Sequence, residues 1–519
     1  MKRVAENSFL LFVYPFVFDP ATFVERSAAI SAAEWQAGSH RIPVWKPDRF
    51  PRGDMLAYVA GYLNPASGES PTAHLWRMNW GLRRSFGLSN EADWALGIKR
   101  KGAQEEFPFC FGEILKVGEK ENDNSFAFRL ALFHGGVGFL TCQVTPRSDQ
   151  VEDWLDFTHY FRFANRPNKV WLQGRAGQRL AATGSGAAFF PDSAGGTQSH
   201  SDGKGTLNDL LVALLATGDA SRARAEAAGQ VGHEWWTEVF VPEQVIPFAS
   251  FFVEGVLANE EMELAYKLRS FFHRYQGDDP APEDLSRDQP GLLPYANRQW
   301  FIFSVEGGAF LACDAPKREF FQATLPAHIR SHYFLVFMLT LQQRFVLMSL
   351  SQKVADKWLI EGKSPAELTE GRFKAFAQIR DRFLEFTARG YFTQVMQREH
   401  HQRFYRKWQE VFQIRDLYEE VRDEVREMYQ YLQSQRTEAE EKRARRFGIW
   451  ISTVALLVVI PTIVFGFLGI NIRNFTSAAD TGLTVRQALL WSAVGTVGLV
   501  LLAWGVREIV RKRINRTSE

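Results

Sequence analysis

Two uncharged apolar segments near the C-terminal end constrain what this chain can fold into more than any other feature. Residues 447–468 and residues 488–506 contain no charged side chain. As helices that rise about 1.5 Å per residue, they would extend roughly 33 and 28 Å, which is enough to cross the hydrocarbon core of a bilayer. A pair of buried core helices is the competing interpretation, and the flanking charges favour the membrane.

Basic residues stand outside both apolar segments. The first segment is preceded by Lys442, Arg443, Arg445 and Arg446, and the second is followed by Arg507, Arg511, Lys512, Arg513 and Arg516. The positive-inside rule then places both ends in the cytoplasm. We therefore predict a cytosolic part at 1–446 and a membrane part at 447–519. The membrane part has spans at 447–468 and 488–506, an outer loop at 469–487 and a basic tail at 507–519. The expected location is the inner (plasma) membrane.

Composition argues against several function classes. The net charge of +2 gives no basic field for nucleic acid, so we expect no nucleic-acid partner. The three cysteines are far apart and match no metal-site spacing or disulfide framework. No nucleophile–base set stands out, so the chain is not predicted to be an enzyme, and no covalently bound cofactor is expected.

The first 320 residues are predicted to form an α/β or α+β domain. Strand patterns occur at 107–117, 125–133 and 137–144, and "QWFIFSVEGGAFLACD" at 299–314 predicts a hairpin around Gly307-Gly308. Helical patterns at 148–163, 206–217 and 259–275 interleave with the strands. The apolar run "FLLFVYPFVF" after Lys2 and Arg3 is interpreted as a buried strand, because Glu6 and Pro15 interrupt a signal-peptide pattern.

A glycine-rich stretch occupies residues 174–205. Its "DGKGT" invites a phosphate-loop interpretation, but Gly205 stands where that motif needs Ser or Thr. We predict a flexible surface loop.

Residues 321–446 are predicted to be long helices that end in a stalk helix at 391–446. The stalk carries an apolar heptad seam, which needs partner helices: Val411, Ile414, Tyr418, Val421, Val425, Met428 and Leu432. Packing within the chain and self-association of several chains are both compatible with this seam. A coiled coil is therefore one of the two expectations.

A two-helix hairpin cannot enclose a pore, so conduction would require a closed ring of several copies. One face of the first span is small or apolar and would suit a hydrophobic constriction: Gly448, Ile451, Ala455, Val459 and Thr462. Ordinary helix packing explains the same small residues equally well. Pro461 lacks an N–H and leaves the carbonyl of Leu457 without its helical donor, which favours an interior position and a helix kink.

The end of the first span carries a family resemblance. Thr462 is followed by Gly466 and then by Gly469-Ile470-Asn471. Together with the topology, this resembles the CorA-type magnesium channel family and its pattern P-x-T-x3-G-x-Y-G-M-N. The chain departs from the pattern in three ways: Pro461 is one position closer to the threonine, Leu468 replaces the tyrosine, and Ile470 replaces the methionine. The resemblance covers about 391–519 and is only architectural before that.

The resemblance implies a funnel-shaped homopentamer: an α+β cytosolic domain, long stalk helices and a two-helix transmembrane hairpin. In that arrangement Gly469, Ile470 and Asn471 form the outer filter, and Arg445 lies at the inner mouth. Thr462, Val459, Ala455, Ile451 and Gly448 line the pore. Mg²⁺ or another divalent cation would be the transported or regulatory ion.

Arg473 stands two residues beyond Asn471, where cation-conducting members commonly carry acidic residues. The sequence therefore supports a channel for Mg²⁺ or for Zn²⁺, Co²⁺ or Ni²⁺. It also leaves open a ligand- or partner-gated membrane effector, whose cytosolic domain senses a small molecule, and a membrane scaffold without conduction. No metal site is assigned, although acidic residues occur at Glu260, Glu261, Glu263, Asp278 and Asp279.

Overall fold

The structure is a computed structural model. It describes residues 2–37, 40–66, 70–79, 94–100, 102–114, 126–163, 170–174, 204–216, 235–241, 244–271, 280–358 and 365–474, and a few helical positions between 490 and 505. The chain divides into two units. The first comprises 1–360 and 375–426, and the second comprises 361–374 and 427–519.

The first unit is built around a mixed sheet, which has 15 strands among the described residues. The chain's strands are β1 Arg3–Val4, β2 Phe9–Val17, β3 Glu34–Ala37, β4 His40–Pro43, β5 Trp45–Asp48, β6 Ala73–Met78, β7 Trp94–Arg100, β8 Ala103–Phe111, β9 Phe128–Phe133, β10 Val137–Pro146, β11 Val170–Gly174, β12 Lys204–Gly205, β13 Thr237–Glu238, β14 Ile246–Glu254, β15 Leu292–Ala296, β16 Gln299–Ser304 and β17 Gly307–Cys313. The main order is β12-β11-β7-β8-β10-β2-β14-β17-β16-β15, and β3 pairs with β4 in a separate sheet.

Most neighbouring strands are antiparallel, and β14 with β17 is the parallel pair within this order. The central strands are apolar along their whole length because both of their faces are covered. β10 is buried at all ten positions, which is the pattern of a strand between two layers.

Helices pack on both faces of the sheet. The α-helices are α1 Phe23–Ser31, α2 Ala57–Leu63, α3 Val151–Phe161, α4 Leu207–Ala216, α5 Glu261–Ser270, α6 Leu325–His328, α7 Phe334–Trp358, α8 Pro365–Arg389, α9 Glu399–Val411 and α10 Ile414–Asn474. On one face, Phe161 of α3 lies 4.5 Å from Phe12 between ring centroids. On the other, Phe337 of α7 lies 5.1 Å from Phe248. The prediction of an α+β domain with long helices is confirmed.

The N-terminal apolar run is the buried strand β2, as predicted. The predicted hairpin at 299–314 is also present, but its turn differs. Ser304 pairs with Gly307, so the turn residues are Val305 and Glu306. Gly308 instead allows the Trp408 ring to pack closely against the strand, because a Cβ at this position would lie 2.5 Å from that ring.

α7 is the most apolar long helix of the first unit. By length and composition, the helical stretch Phe320–Asp356 could cross a membrane, and within the described residues it is the helix that meets this test. However, 78% of its apolar window is buried inside the structure. It is therefore the central core helix of the first unit, covering the sheet.

The predicted stalk helix at 391–446 differs in the structure. Residues 391–398 precede α9 and are not part of it. The helix is then interrupted at Phe412 and Gln413, between α9 and α10. Gln413 has a φ of 51°, in the left-handed region that ends helices. The seam positions Ile414, Val421 and Val425 are 0, 1 and 3% exposed within the first unit. Their burial favours the packing of this part of the seam within the chain.

The second unit contains the end of the seam and most of α10. Phe373 lies 5.7 Å from Tyr429 between ring centroids, and the guanidinium of Arg436 stands 4.8 Å over the Phe373 ring. Leu432 is 1% exposed. The predicted loop at 174–205 lies outside the described residues except for its ends, and so do 475–487 of the outer loop and the tail at 507–519.

Candidate functional site

The predicted filter and pore residues all lie on the backbone of one helix, α10. The helix is continuous from Ile414 to Asn474 and includes Pro461. Residues 469–471 and Arg473 are therefore in its last two turns, and the helix extends six residues beyond the predicted end of the span. The side chains of Pro461, Ile470, Asn471 and Arg473 lie outside the described part of the chain.

From Phe447 onward, α10 presents large apolar side chains to its surroundings. Trp450 is 62% exposed and Val458 is 61% exposed. The other large exposed residues there are Phe447, Ile449, Ile451, Val454 and Val459. They point in all directions around the helix axis, because consecutive helical residues are rotated by about 100°. A helix that is apolar all round needs lipid or neighbouring helices to cover it.

The N-terminal boundary of this surface combines charge with aromatic rings. Arg445 pairs with Glu441 one turn earlier, with 3.7 Å between nitrogen and oxygen. Phe447 and Trp450 then stack at 6.2 Å with 19° between their rings. Basic and aromatic residues at the end of an apolar helix are typical of a membrane–water interface.

The face predicted to line a pore is exposed, but so are the other faces. Ile451 and Val459 are 47% and 51% exposed. The Thr462 hydroxyl donates to the Val458 carbonyl at 2.8 Å, and the Thr453 hydroxyl donates to the Ile449 carbonyl at 2.6 Å. These bonds satisfy hydroxyls that would otherwise be costly in an apolar environment.

The described positions of the second predicted span are helical and equally exposed. The large apolar residues among these described positions are 58–64% exposed, apart from Val494 at 55%. They are four, three, four and three residues apart, which places them on one helix face: Leu490, Val494, Val497, Leu501 and Trp504.

Three of the acidic residues considered for a metal site form ion pairs with basic side chains. Glu261 is fully buried and pairs with Arg298 and with Arg287. Glu260 pairs with Lys2, and Glu263 with Lys267. Asp278 and Asp279 lie outside the described residues. Within the described part of the chain, no group of three or more His, Cys, Asp or Glu residues is placed to hold a metal ion.

A histidine cluster lies where α9 packs near the start of α7. His332 and His401 stack at 6.1 Å, and His400 and His401 are 4.3 Å apart between ring centroids. Burial, followed by the charges of His400 and His332, lowers the pKa of His401 to about 3. The adjacent pair His400-His401 is the feature of the sequence that could have indicated this cluster. Its other member, His332, lies just before α7 and cannot be paired with it from the sequence.

The first unit also contains a cavity that no sequence motif indicated. We call it the Gln342 cavity, because that amide lies in its wall. It is lined by Pro20, Tyr62, Thr72, His134, Gly135, Gln342, Val346, Ser349, Leu350, Lys353, Arg382, Glu385, Phe386, Arg389 and Gly390. Its volume is about 40 Å³.

Comparisons of the chain with protein-family models, with curated proteins and with solved structures found no match.

Proposed function

We propose that this protein is a CorA-like membrane channel that moves divalent cations, Mg²⁺ or Zn²⁺, Co²⁺ or Ni²⁺, across the inner membrane through a homopentameric pore. The observation that carries the proposal is the long apolar surface of α10, which is exposed all round and begins directly after Arg446 with a Phe447–Trp450 aromatic pair. Lipid and neighbouring copies would cover this surface, and both termini would lie in the cytoplasm.

In this proposal each pore residue is repeated five times around an axis. Asn471, with the backbone of Gly469 and Ile470, would form the outer filter and hold a hydrated cation through hydrogen bonds. The apolar face that includes Ile451, Val459 and Thr462 would form a constriction that conducts when it is wetted. Arg445 would surround the inner mouth and Arg473 the outer mouth.

Cation uptake into liposomes that contain the full chain tests the filter assignment. Asn471→Ala is expected to abolish uptake of Mg²⁺ or Zn²⁺. Asn474→Ala removes the same amide one turn later on α10 and should leave uptake close to that of the unchanged protein. Equal uptake by the Asn471→Ala variant and the unchanged protein would exclude Asn471 from the filter.

A second candidate function is a membrane effector that a small ligand opens. The Gln342 cavity favours it, because the cavity lies in the first unit and its lining includes charged residues and an amide that has no hydrogen-bond partner among the described residues. Planar-bilayer recording of the full chain separates the two functions. A channel whose conductance depends only on the permeant divalent cation supports the first function, and current that begins only with an added organic or anionic ligand supports the second.

A further inference from the structure

Another cavity of the first unit lies beside β15, the strand that ends the main order of the sheet. We call it the Tyr295 cavity. Its volume is about 380 Å³, within the range of about 300–1,000 Å³ that is usual for small-molecule sites. Strands β15 and β16 and helix α9 supply most of its lining, and Phe320 and Phe321 complete it.

Tyr295 occupies a β-bulge at the edge of this cavity. In the pairing of β15 with β16, Pro294 lies opposite Trp300 and Ala296 lies opposite Gln299, so Tyr295 is the extra residue between them. Bulges are frequent at sheet edges and next to functional sites, where they re-aim a side chain. The bulge therefore places a residue of the cavity lining outside the regular alternation of its strand.

Aromatic rings form much of the cavity wall. The Tyr295 ring lies 5.7 Å from Phe301 at 82°, and the Phe320 ring lies 5.1 Å from Phe321 at 86°. Two nearly perpendicular pairs present both ring faces and ring edges, which are the surfaces that aromatic groups pack against. Phe301 is 2% exposed and is held 4.5 Å from Tyr333 between ring centroids, so this part of the wall is preformed. Phe320 is 42% exposed and lies on the solvent side.

Three polar side chains of the lining have no partner in the part of the protein that the structure describes. The Tyr295 hydroxyl, the His400 ring and the Arg403 guanidinium take part in no hydrogen bond or ion pair there. His400 and Arg403 are three residues apart on α9, so they lie on one face of that helix. The described lining includes no Asp or Glu, so nothing in it neutralises Arg403.

These groups restrict the chemistry of a ligand. The rings favour a flat aromatic body, and the guanidinium fork of Arg403 matches the two oxygens of a carboxylate. Burial, followed by the charge of Arg398, lowers the pKa of His400, so its ring is neutral at pH 7 and one positive charge remains in the lining. A single positive charge suits a carboxylate better than a phosphate ester, which carries about two negative charges at that pH.

We propose that the Tyr295 cavity binds a small aromatic carboxylate. The ring of the ligand packs against Tyr295, Phe301 and Phe320, and its carboxylate accepts hydrogen bonds from Arg403 and from the Tyr295 hydroxyl. The proposal is independent of conduction, because every residue that carries it belongs to the first unit. Its failure would therefore leave the uptake assay of the Asn471 variants unaffected.

Isothermal titration of the detergent-solubilised full chain at pH 7, corrected with a detergent-only blank, tests this inference. 1-Naphthylacetate carries both the ring and the carboxylate, so we expect saturable binding. 1-Naphthylmethylamine keeps the ring with a positive charge, and acetate keeps the carboxylate without the ring, so neither should saturate in the same concentration range. No binding of 1-naphthylacetate, equal binding of the amine, or tighter binding of 1-naphthyl phosphate would overturn the proposal.

Substitutions at the lining make the test specific. Arg403→Gln should weaken binding of 1-naphthylacetate about tenfold, because a charge-assisted pair is lost. Phe320→Ala removes a partly exposed ring and should weaken it about three- to tenfold. Arg406→Gln removes an equal charge from an exposed position of α9 outside the lining, and should leave the titration unchanged. An Arg403→Gln titration that matches the unchanged protein, or an equal loss in Arg406→Gln, would contradict the assignment.

Discussion

Tyr391 and Tyr418 stack with their ring centroids 4.5 Å apart and 22° between the ring planes. Tyr418 is a heptad position of α10, and its ring also lies 5.2 Å from Phe383 of α8. Its hydroxyl is 3.4 Å from the Thr387 hydroxyl. This part of the seam therefore finds its partners in α8 and in the segment before α9. These contacts favour packing of this part of the seam within the chain.

Replacing Tyr418 by Ala should lower the free energy of unfolding by roughly 1–3 kcal/mol, because two aromatic contacts are lost together with buried area. Chemical denaturation of the full chain measures the change. A double-mutant cycle with Tyr391→Ala should give a coupling energy of about 1 kcal/mol. Tyr431→Ala, a half-exposed tyrosine on the same helix, is the control and should cost much less. A coupling near zero would show that the stack does not stabilise the first unit.

Periodic and strongly apolar segments could be predicted from the sequence, and features that depend on tertiary partners could not. The strand at Phe9–Val17 and the helix that begins at Pro365 follow from hydrophobic pattern and proline position. No glycine or proline marks the break at Gln413. This exposed residue takes the left-handed conformation between two buried neighbours, Phe412 and Ile414. The hairpin turn was placed two residues late, since Gly308 is needed for contact with Trp408.

The candidate sites follow the same division. The apolar character of 447–468 is a property of the sequence, so the exposed surface of α10 could be anticipated. The Gln342 cavity could not be anticipated from the sequence, because Gln342 and Gln343 are identical residues side by side on one helix. Only the positions of Gly390 and Tyr405 determine which of the two amides is satisfied. Likewise, the sequence does not distinguish Glu261 from Glu260 and Glu263, although the structure buries Glu261 and leaves the other two partly exposed.

Glu261→Gln should destabilise the protein by about 2 kcal/mol. Removing one partner of a buried ion pair costs roughly 3–5 kcal/mol, and we expect less here because Arg298 keeps Asp314 at 3.1 Å. Thermal and chemical unfolding measure the loss. Glu263→Gln, two residues later on α5, removes an exposed pair with Lys267 and should cost about 0.5 kcal/mol or less. Equal effects of the two substitutions would contradict the burial argument.

The histidine cluster should make stability depend on pH. Burial and neighbouring positive charge hold the pKa of His401 near 3 in the folded chain, against about 6.5 when unfolded. The unfolded state therefore binds the proton first, so stability is complete above about pH 6.5 and falls as the pH decreases towards 3. Below pH 6.5 the loss is about 1.4 kcal/mol per pH unit for this residue.

Denaturation at pH 7 and pH 5.5 measures this dependence. His401→Phe keeps a ring against Tyr333 and removes the titrating group, so its unfolding free energy should fall less between the two pH values. His332 and His400 also have lowered pKa values, mainly through burial, and they should retain part of the slope. Parallel pH profiles for the variant and the unchanged protein would contradict the assignment to His401.

If Arg473 surrounds the outer mouth as proposed, its positive charge should slow the entry of divalent cations. This residue follows Asn471 by two positions on the final turn of α10. In a five-fold ring its charges would repel an entering divalent cation, and even one charge pair at 4 Å in water is worth about 1 kcal/mol. Arg473→Gln should therefore raise the initial rate of Mg²⁺ or Zn²⁺ uptake into liposomes roughly fivefold, and Arg473→Glu should raise it further.

Salt and a matched substitution make the Arg473 test sharper. Because ions screen exposed charges beyond about 8–10 Å, the gain should shrink as ionic strength rises from 0.01 to roughly 0.15 M. Arg436→Gln removes an equal charge from α10, on the cytosolic side in this topology, and should leave the rate unchanged. An unchanged rate for Arg473→Glu at low salt would place the arginine away from the ion path, so that another feature would have to set the selectivity of this mouth.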